Sequence, residues 1–515
     1  MKNDGDPGEL LMVGFEGQSL NARLRRYILE WRVGGVILFG RNIRGAGQVS
    51  GLCRELGALR REVADSPLLI AVDQEGGTVA RLREGMTAFP GNLALGFAGS
   101  PEDAHRQGLI TGRELRRQGI TINLAPVLDL YSPEGSHSLG LRSLGGDPER
   151  VASLGSALIR GMQAGGIAAT AKHFPGKGAA RRDSHQELPV IRTPARVIRR
   201  RDLAPFRAAV EAGVEAVMTS HAAYPALDGG RIRPATLSRP VLTGLLRDEF
   251  HFRGVLISDD LGMGAVGAAG AADEAALTAL RAGVDMLLLC HSPSARERTF
   301  RLLHKSGAAD REVGERIRES RERIAALKAR LPLPGVPPPG GEDDFAFRIA
   351  RGAVSAERIS GKGFAAGKKR PFLLVWFEPE RTVEVGDRAA ASGGPAAPFR
   401  AAGLAPGIIN LPLRPSPEER ARALAAAAGE LPVVITACDA YRFPEQRELI
   451  GALLERRPDA VLAVVRDPRD AKLFPRAGTV LITRGPGPLS VRALAEVLAG
   501  RVKPVRENHG SSKLP

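Results

Sequence analysis

The chain has 515 residues. At ~150 residues per domain this length allows three domains, or two if one of them is a barrel of about 250 residues or more. Its hydrophobic fraction of 43% and charged fraction of 25% are those of a globular protein, and they exclude a wholly disordered chain or a fibrous rod. The net charge of +16 comes mainly from arginine, since only 11 of the 73 basic residues are lysine. These arginines are spread along the chain, and aromatic residues are only 4% of it, which disfavours nucleic-acid binding.

Membrane and metal-site patterns are absent from the sequence. No stretch approaches the ~18 consecutive apolar residues of a membrane helix, and the start, MKNDGDPGELLMVGF, lacks the basic and apolar regions of a signal peptide. Cys53, Cys290 and Cys438 lie far apart, which argues against a disulfide framework or a zinc site. We therefore expect a cytoplasmic protein with buried free thiols, no metal, and neither a membrane nor a nucleic-acid partner.

Short aliphatic runs alternate with helical periodicity through the first 300 residues, which is typical of successive βα units. Eight such runs predict an α/β fold of the (β/α)8 type, with a TIM-type barrel as the catalytic domain over residues 1–331. The runs have near-continuous apolar sequences, as expected for strands that are covered on both faces. They are 10–15, 35–39, 68–73, 121–130, 168–173, 216–221, 254–259 and 285–290.

Most of these runs end on a polar or ionisable residue. In a barrel the carboxyl ends of all strands face one mouth, where the βα loops form the active-site cleft. Polar residues at these ends are therefore predicted to share one cleft: Asp73, Glu75, Asp129, Lys172, His173, His221, Asp259 and Asp260.

A Pro- and Gly-rich stretch at 332–344 cannot continue a helix or a strand and is predicted to be a linker. Beyond it, five more apolar runs alternate with helices, which predicts a smaller α/β sandwich domain over 345–502. One of these helices is expected to begin with a capping box in the sequence Ser416-Pro417-Glu418-Glu419. We expect the tail at 503–515 to be disordered.

The loop AKHFPGKGAARRDSHQELP, residues 171–189, contains a candidate acid/base pair. Asp183 and His185 are two residues apart, so the carboxylate can orient the imidazole and raise its proton affinity. A structural role as a cap is equally compatible with this spacing.

A second candidate group follows the strand in GVLISDDLGM. Adjacent carboxylates on an extended backbone point in different directions, so Asp259 can face the cleft while Asp260 caps the next segment. A carboxylate opposite an acid/base group is the arrangement of a retaining glycosidase.

The motifs VGGVILFGRN, AVDQEGGTVARL, NLAPVLDL, RSLGGDPERV, KHFPGKGAARRDSH, MTSHAAYPALDG and GVLISDDLGM resemble glycoside hydrolase family 3, in its β-N-acetylhexosaminidase branch. The resemblance implies Asp259 as nucleophile and His185 as acid/base, assisted by Asp183. It implies a carbohydrate substrate without a cofactor. The residues expected to bind the sugar are Asp73, Arg142, Lys172 and His173, but an ion-pair network of Asp73, Arg142 and Lys172 without a sugar contact is also compatible with the sequence. Arg81 is a further candidate, and Asp129 and His221 are equally compatible with sugar contact and with support of neighbouring residues.

Some residues depart from the family pattern. Lys177 stands where the family usually has His, Thr78 where it has Arg, and Arg181 and Arg182 where it has small or acidic residues. None of them belongs to the proposed acid/base pair or is the nucleophile. We interpret Lys177, Arg181 and Arg182 as a cationic loop that favours a leaving group with a carboxylate, such as muramic acid.

Other functions remain compatible with the sequence. Phosphorolysis is one, because an imidazole repels phosphate less than a carboxylate does, and β-glucosidase activity of the same family is another. The GxGxxG pattern at 262–267 would suit a dinucleotide, although Asp259 and Asp260 just before it would repel a pyrophosphate. A catalytically inert sugar-binding protein is the remaining alternative.

Overall fold

The computed structural model describes residues 6–64, 66–135, 138–184, 186–267, 271–331, 342–359, 371–378 and 394–506. Its first part contains a parallel barrel sheet and a two-stranded hairpin. The strands are β1 Leu11–Val13, β2 Gly35–Leu38, β3 Leu69–Val72, β4 Gln74–Gly76, β5 Val79–Ala80, β6 Ile122–Asn123, β7 Ala168–Phe174, β8 Ala216–Thr219, β9 Val255–Ile257 and β10 Leu287–Leu289.

Eight of these strands form one parallel sheet in the order β10-β1-β2-β3-β6-β7-β8-β9. A parallel bridge between Ile257 and Met286 joins β9 to the β10 segment and closes the sheet into a barrel. The remaining two strands, β4 and β5, pair with each other as a hairpin directly after β3. The predicted eight-stranded barrel is therefore confirmed.

Helices connect the strands around the outside of the barrel. Two of them begin with caps that the sequence encodes. Ser100 and Asp103 form the capping box of the helix that starts at Pro101, and the Asp147 side chain accepts from the amides of Glu149 and Arg150 in the helix that starts at Pro148. The helices are α1 Ala22–Leu29, α2 Ala46–Arg61, α3 Asn92–Ala98, α4 Pro101–Arg117, α5 Pro148–Ala164, α6 Ala195–Arg200, α7 Ala204–Glu211, α8 Gly264–Gly267, α9 Ala272–Ala282, α10 Pro293–Ala309 and α11 Arg311–Arg330, with a π-helix at Pro240–Glu249. None of the helices in the described ranges is long and apolar enough to cross a membrane.

The fourth barrel strand is shorter than expected. The sequence predicts a strand over 121–130, but β6 covers only Ile122–Asn123. Pro126 lacks the amide hydrogen that a regular ladder needs, which explains the early end. The chain still follows β7, because Thr170 and Lys172 donate to the carbonyls of Ala125 and Pro126 at 2.8 and 3.1 Å.

The second domain has a mixed sheet with its own hydrophobic core. Its strands are β11 Ser355–Arg358, β12 Pro371–Phe377, β13 Ala405–Leu411, β14 Val433–Ala437, β15 Val461–Val464, β16 Thr479–Ile482 and β17 Val505–Arg506, in the order β13-β12-β14-β15-β16-β11-β17. Its helices are α12 Asp343–Gly352, α13 Ala396–Ala401, α14 Pro417–Ala427, α15 Pro444–Arg456 and α16 Pro488–Leu498. Helix α14 packs with α15, while α12 and α13 pack with α16, as in an α/β sandwich. The predicted capping box of Ser416 and Glu419 opens α14.

Two segment boundaries differ from the sequence prediction. The expected linker at 332–344 ends earlier, because α12 begins at Asp343, and residues 332–341 lie outside the described residues. The expected disordered tail at 503–515 includes β17, which pairs in parallel with β11 at the edge of the sheet. Residues 507–515 lie outside the described residues.

Candidate active site

Four charged side chains form a network at the carboxyl ends of β3 and β7. Lys172 Nζ lies 2.7 Å from both Asp73 Oδ1 and Glu75 Oε1. Arg142 contacts Glu75 at two points, with Nε 2.8 Å from Oε2 and Nη2 2.7 Å from Oε1. The Glu75 side chain is only 1% exposed, whereas that of Asp73 is 17% exposed. Asp73 is therefore the carboxylate of this network that reaches the cleft.

The side chains of this network stabilise one another in their ionised forms. Burial by itself would raise the pKa of Glu75, but the charges of Arg142 and Lys172 outweigh it and hold that pKa well below its usual range. Burial would lower the pKa values of Arg142 and Lys172, but Glu75 and Asp73 keep both above their usual values. The buried members of the network are consequently ionised at neutral pH, and their charge-assisted hydrogen bonds hold them in place beside Asp73.

Asp129 joins His173 and Lys177 beside this network. Its Oδ2 lies 2.6 Å from His173 Nδ1, and its Oδ1 accepts from the backbone amide of Lys177 at 2.7 Å. Burial and the charge of Lys177 lower the pKa of His173 well below its usual value, so the imidazole is neutral. Since Nδ1–H donates to Asp129, Nε2 of His173 remains a hydrogen-bond acceptor.

His221 follows β8 and bonds to protein atoms through both ring nitrogens. Burial lowers its pKa, so we treat the ring as neutral. Nε2 is 3.0 Å from the carbonyl of Asp260 and must donate to it, so Nδ1 accepts from the Thr236 hydroxyl at 2.7 Å. This geometry favours support of the segment that carries Asp259 over direct contact with a sugar.

The two aspartates after β9 have different surroundings. Asp260 is 8% exposed, and its Oδ1 accepts from the backbone amides of Cys290 and Gly262 at 3.0 and 3.2 Å. Asp259 is half-buried, and its Oδ1 accepts from the amide of Asp260 at 2.9 Å. The charge of Asp259 acts on His173, Lys177 and His221, which come from two other strands. Asp259 therefore lies near ionisable groups at or after the ends of β7 and β8, at the barrel mouth.

The loop with the candidate acid/base pair lies against the segment after Asp259. The amide of Ala265, at the start of α8, donates to the carbonyl of Ser184 at 3.2 Å. Asp183 interacts electrostatically with Lys177, whose pKa is lowered by burial although Asp259, Asp129 and Asp183 oppose that effect. His185 lies outside the described residues, so its contacts are not part of this geometry.

The structure thus brings most of the predicted residues to one mouth. Arg81 directly follows β5 of the hairpin formed by β4 and β5. In this hairpin Gln74 Nε2 donates to the backbone carbonyl of Leu82 at 2.8 Å, and the backbone amide of Leu82 donates to Gln74 Oε1 at 3.1 Å. The sequence marks Glu75 only as a polar strand end, yet its carboxylate connects Arg142 to Lys172. Its spacing of two residues from Asp73 was the available signal, since alternate residues of an extended segment share a face.

The dinucleotide alternative finds no support in this loop. The amide of Gly262, the first glycine of the GxGxxG pattern, donates to the Asp260 carboxylate. A phosphate would need such a loop amide as a donor, so the carboxylate takes the place of the phosphate. The helix that follows, α8, has only four residues.

Comparison with known families decides the assignment. Residues 4–327 match the glycosyl hydrolase family 3 N terminal domain. The chain belongs to glycosyl hydrolase family 3. A beta-hexosaminidase of Thiobacillus denitrificans is 42% identical over 290 residues, which cover 55% of this chain and 78% of that protein.

Solved structures extend the similarity to the whole chain. A family 3 beta-N-acetylglucosaminidase from Paenibacillus sp. superposes with a TM-score of 0.92 and 36% identity, covering 98% of each chain. NagZ from Neisseria gonorrhoeae, solved with N-trifluoroacetyl-D-glucosamine, gives a TM-score of 0.52 and 32% identity, covering 62% of this chain and 98% of that one. The expected family and fold are confirmed: the chain is a family 3 glycoside hydrolase that groups with the β-hexosaminidases.

Proposed function

We propose that this family 3 hydrolase is a retaining exo-β-N-acetylglucosaminidase that removes terminal N-acetyl-β-D-hexosamine residues. The observation that carries the proposal is the position of Asp259, which lies among His173, Lys177 and His221 at the mouth of the barrel. The names of the Thiobacillus and Paenibacillus proteins, and the N-acylated glucosamine bound to the Neisseria protein, support the choice of sugar.

In the proposed mechanism, Asp259 attacks the anomeric carbon while His185, as imidazolium, gives its proton to the glycosidic oxygen. The bond to the leaving group breaks and a glycosyl ester forms on Asp259. The neutral imidazole then takes a proton from water, whose oxygen attacks the anomeric carbon and releases the carboxylate. Asp183 orients the imidazole and stabilises its charged form. Both steps invert the anomeric centre, so the product retains the β configuration.

The charged network is proposed to bind the sugar itself. The Asp73 carboxylate, 17% exposed, can accept hydroxyl hydrogen bonds, and Arg142 and Lys172 supply donors for hydroxyl or acetamido oxygens. The Nε2 atom of neutral His173 can accept one more hydroxyl hydrogen bond. Since Glu75 and Asp129 hold these groups in place, the site needs little rearrangement when the sugar arrives.

For the leaving group, we propose cell-wall fragments that carry a muramic acid carboxylate. Arg181 and Arg182 are 77% and 67% exposed on the acid/base loop, and each pairs with an exposed glutamate, Glu134 and Glu187, which an anionic leaving group would replace. We place this activity in the cytoplasm, because the three cysteines are free and buried rather than paired, as is usual in a reducing compartment.

The test uses an aryl N-acetyl-β-glucosaminide and an aryl β-glucoside, each with and without phosphate. The wild type is expected to hydrolyse the first substrate in preference to the second. Asp259→Ala should lower kcat by about 10³-fold or more, and added azide should then give the α-glycosyl azide, because azide replaces the missing nucleophile. Asp248→Asn, at an exposed position on the π-helix, is the control and should keep wild-type activity. Turnover of the glucoside alone would exclude the proposed sugar specificity.

Phosphorolysis is the second candidate, and buried Lys177 favours it. A cation beside Asp259 can attract phosphate to the glycosyl ester in place of water. A sugar 1-phosphate product and a rate that rises with phosphate concentration would establish it, whereas a phosphate-independent rate would exclude it.

A further inference from the structure

The barrel loop that carries Arg142 is in contact with the second domain. We define the Arg142 loop as residues 131–135 and 138–142, between β6 and α5. The Tyr131 hydroxyl donates to Asp467 Oδ1 at 2.6 Å, and Arg469 Nη1 donates to the carbonyl of Gly135 at 3.3 Å. A Cβ atom added at Gly140 would lie 3.4 Å from Asp467 Oδ2, so this carboxylate packs closely against the loop backbone. Asp467 and Arg469 thus touch the loop at three points.

These two residues are themselves firmly held within the second domain. Asp467 caps the 3-10 helix Pro468–Leu473 by accepting from the amide of Arg469 at 3.1 Å, and its Oδ2 lies 3.0 Å from Arg469 Nε. The Arg469 guanidinium lies 4.3 Å from the centre of the Tyr441 ring. A largely buried ion pair of the second domain therefore supports a loop of the barrel.

The support reaches the candidate sugar site through a short segment. Gly140, which packs against Asp467, and Arg142 belong to the same turn of 3-10 helix. Arg142 is connected onward to Glu75 by two hydrogen bonds, and its carbonyl accepts from the Asn92 side chain at 2.7 Å. A displacement at Gly140 would consequently move the Arg142 guanidinium, the proposed sugar contact.

We propose that Asp467 and Tyr131 are positioning residues for substrate binding: the second domain holds the Arg142 loop and thereby sets the affinity of the site for the sugar. This inference rests on the proposed function, because it takes Arg142 as a sugar contact. It assigns the second domain a role in the activity of the barrel, although none of the site residues described above comes from that domain.

The test compares Tyr131→Phe, Asp467→Ala and Asp467→Asn with a matched control. Arg348→Ala removes the ion pair of Arg348 with Asp103, which joins α12 to α4 of the barrel away from the Arg142 loop.

With an aryl N-acetyl-β-glucosaminide, Asp467→Ala should raise KM about tenfold, because a charge-assisted hydrogen bond is lost. Tyr131→Phe should raise KM a few-fold. Asp467→Asn should fall between Asp467→Ala and the wild type, since the amide oxygen can still accept from Tyr131. kcat should change little, since Arg142 contacts the sugar in the ground state and the transition state alike.

A double variant adds a second criterion. Tyr131→Phe with Asp467→Ala should raise KM no more than Asp467→Ala alone, because the two side chains share one hydrogen bond. If Asp467→Ala and Tyr131→Phe lower the melting temperature but keep the KM of Arg348→Ala, the contact is only structural and the inference is wrong. If Asp467→Ala does not fold, Tyr131→Phe and Asp467→Asn decide the question. A wild type that neither hydrolyses the substrate nor binds N-acetylglucosamine would overturn the proposed function, and this inference with it.

Discussion

Glu75 and Arg142 form a two-point ion pair in which neither side chain is more than 5% exposed. Lys172 Nζ and Arg142 Nη2 both contact Oε1 of Glu75. One carboxylate therefore balances two buried cations from different parts of the barrel, and it does so within reach of Asp73, the proposed sugar contact.

Replacing Glu75 by Gln should destabilise the protein and weaken sugar binding together. Removal of the charge leaves Arg142 and Lys172 buried with only Asp73 as counter-ion, and breaking a buried pair costs about 3 kcal/mol of unfolding free energy. Urea unfolding measures this loss, and KM should rise in parallel. Glu315→Gln, which breaks the exposed pair with Arg311, is the control and should change neither quantity. Equal unfolding curves for Glu75→Gln and Glu315→Gln would contradict the argument.

Lys177 should set the acidic limb of the pH–rate profile. Its positive charge favours the ionised form of Asp259, so Lys177→Met should raise the pKa of the nucleophile and shift the acidic limb of kcat/KM to higher pH. Arg181→Met, on the same loop but largely exposed, should leave the limb in place. A limb that stays fixed in Lys177→Met would show that the ammonium does not act on Asp259.

Charge reversal at Arg181 and Arg182 tests the proposed leaving group. The double variant Arg181→Glu with Arg182→Glu should raise KM for a muropeptide by about tenfold, while KM for a small aryl glycoside stays unchanged. The double variant Arg301→Glu with Arg311→Glu, at two exposed positions of the outer helices, changes the net charge by the same amount and is the control. The hypothesis fails if both substrates respond equally to the double variant.

Acid should destabilise the fold through its buried neutral histidines. Burial holds the pKa of His173 well below its usual value and also lowers that of His221, so the unfolded chain takes up protons near pH 6.5 that the folded chain does not. Stability should therefore fall as pH decreases from about 6.5 towards 5. Melting temperatures in His173→Gln should show a shallower decrease, and His304→Asn, at an exposed position, should keep the wild-type slope. An identical slope in His173→Gln would remove this explanation.

Much of the fold could be predicted because its signals are local. Apolar runs, strand-end polar residues and the capping box of Ser416 and Glu419 each lie within a few residues of one another. The early end of β6 also has a local cause in Pro126, but the run 121–130 was interpreted by its apolar residues alone. Backbone hydrogen bonding, rather than hydrophobicity, decides where that strand ends.

Other features depend on residues that are distant in sequence. Tyr131 and Asp467 are 336 positions apart, and neither lies in a motif that predicts a contact with the other. The charges that act on Lys177 also come from distant parts of the chain, namely from Asp129, Arg142 and Asp259. A single sequence shows which side chains can carry charge, but only the folded chain shows which of those charges share a low-dielectric environment.

The cysteines have a practical consequence. Cys53, Cys290 and Cys438 are all buried, and burial raises the pKa of each thiol, to about 12 for Cys53. Native thiols should therefore react slowly with maleimides. A single cysteine introduced at an exposed position such as Arg348 would accept a fluorophore selectively, without prior removal of the native residues, and would report on movement between the two domains during turnover.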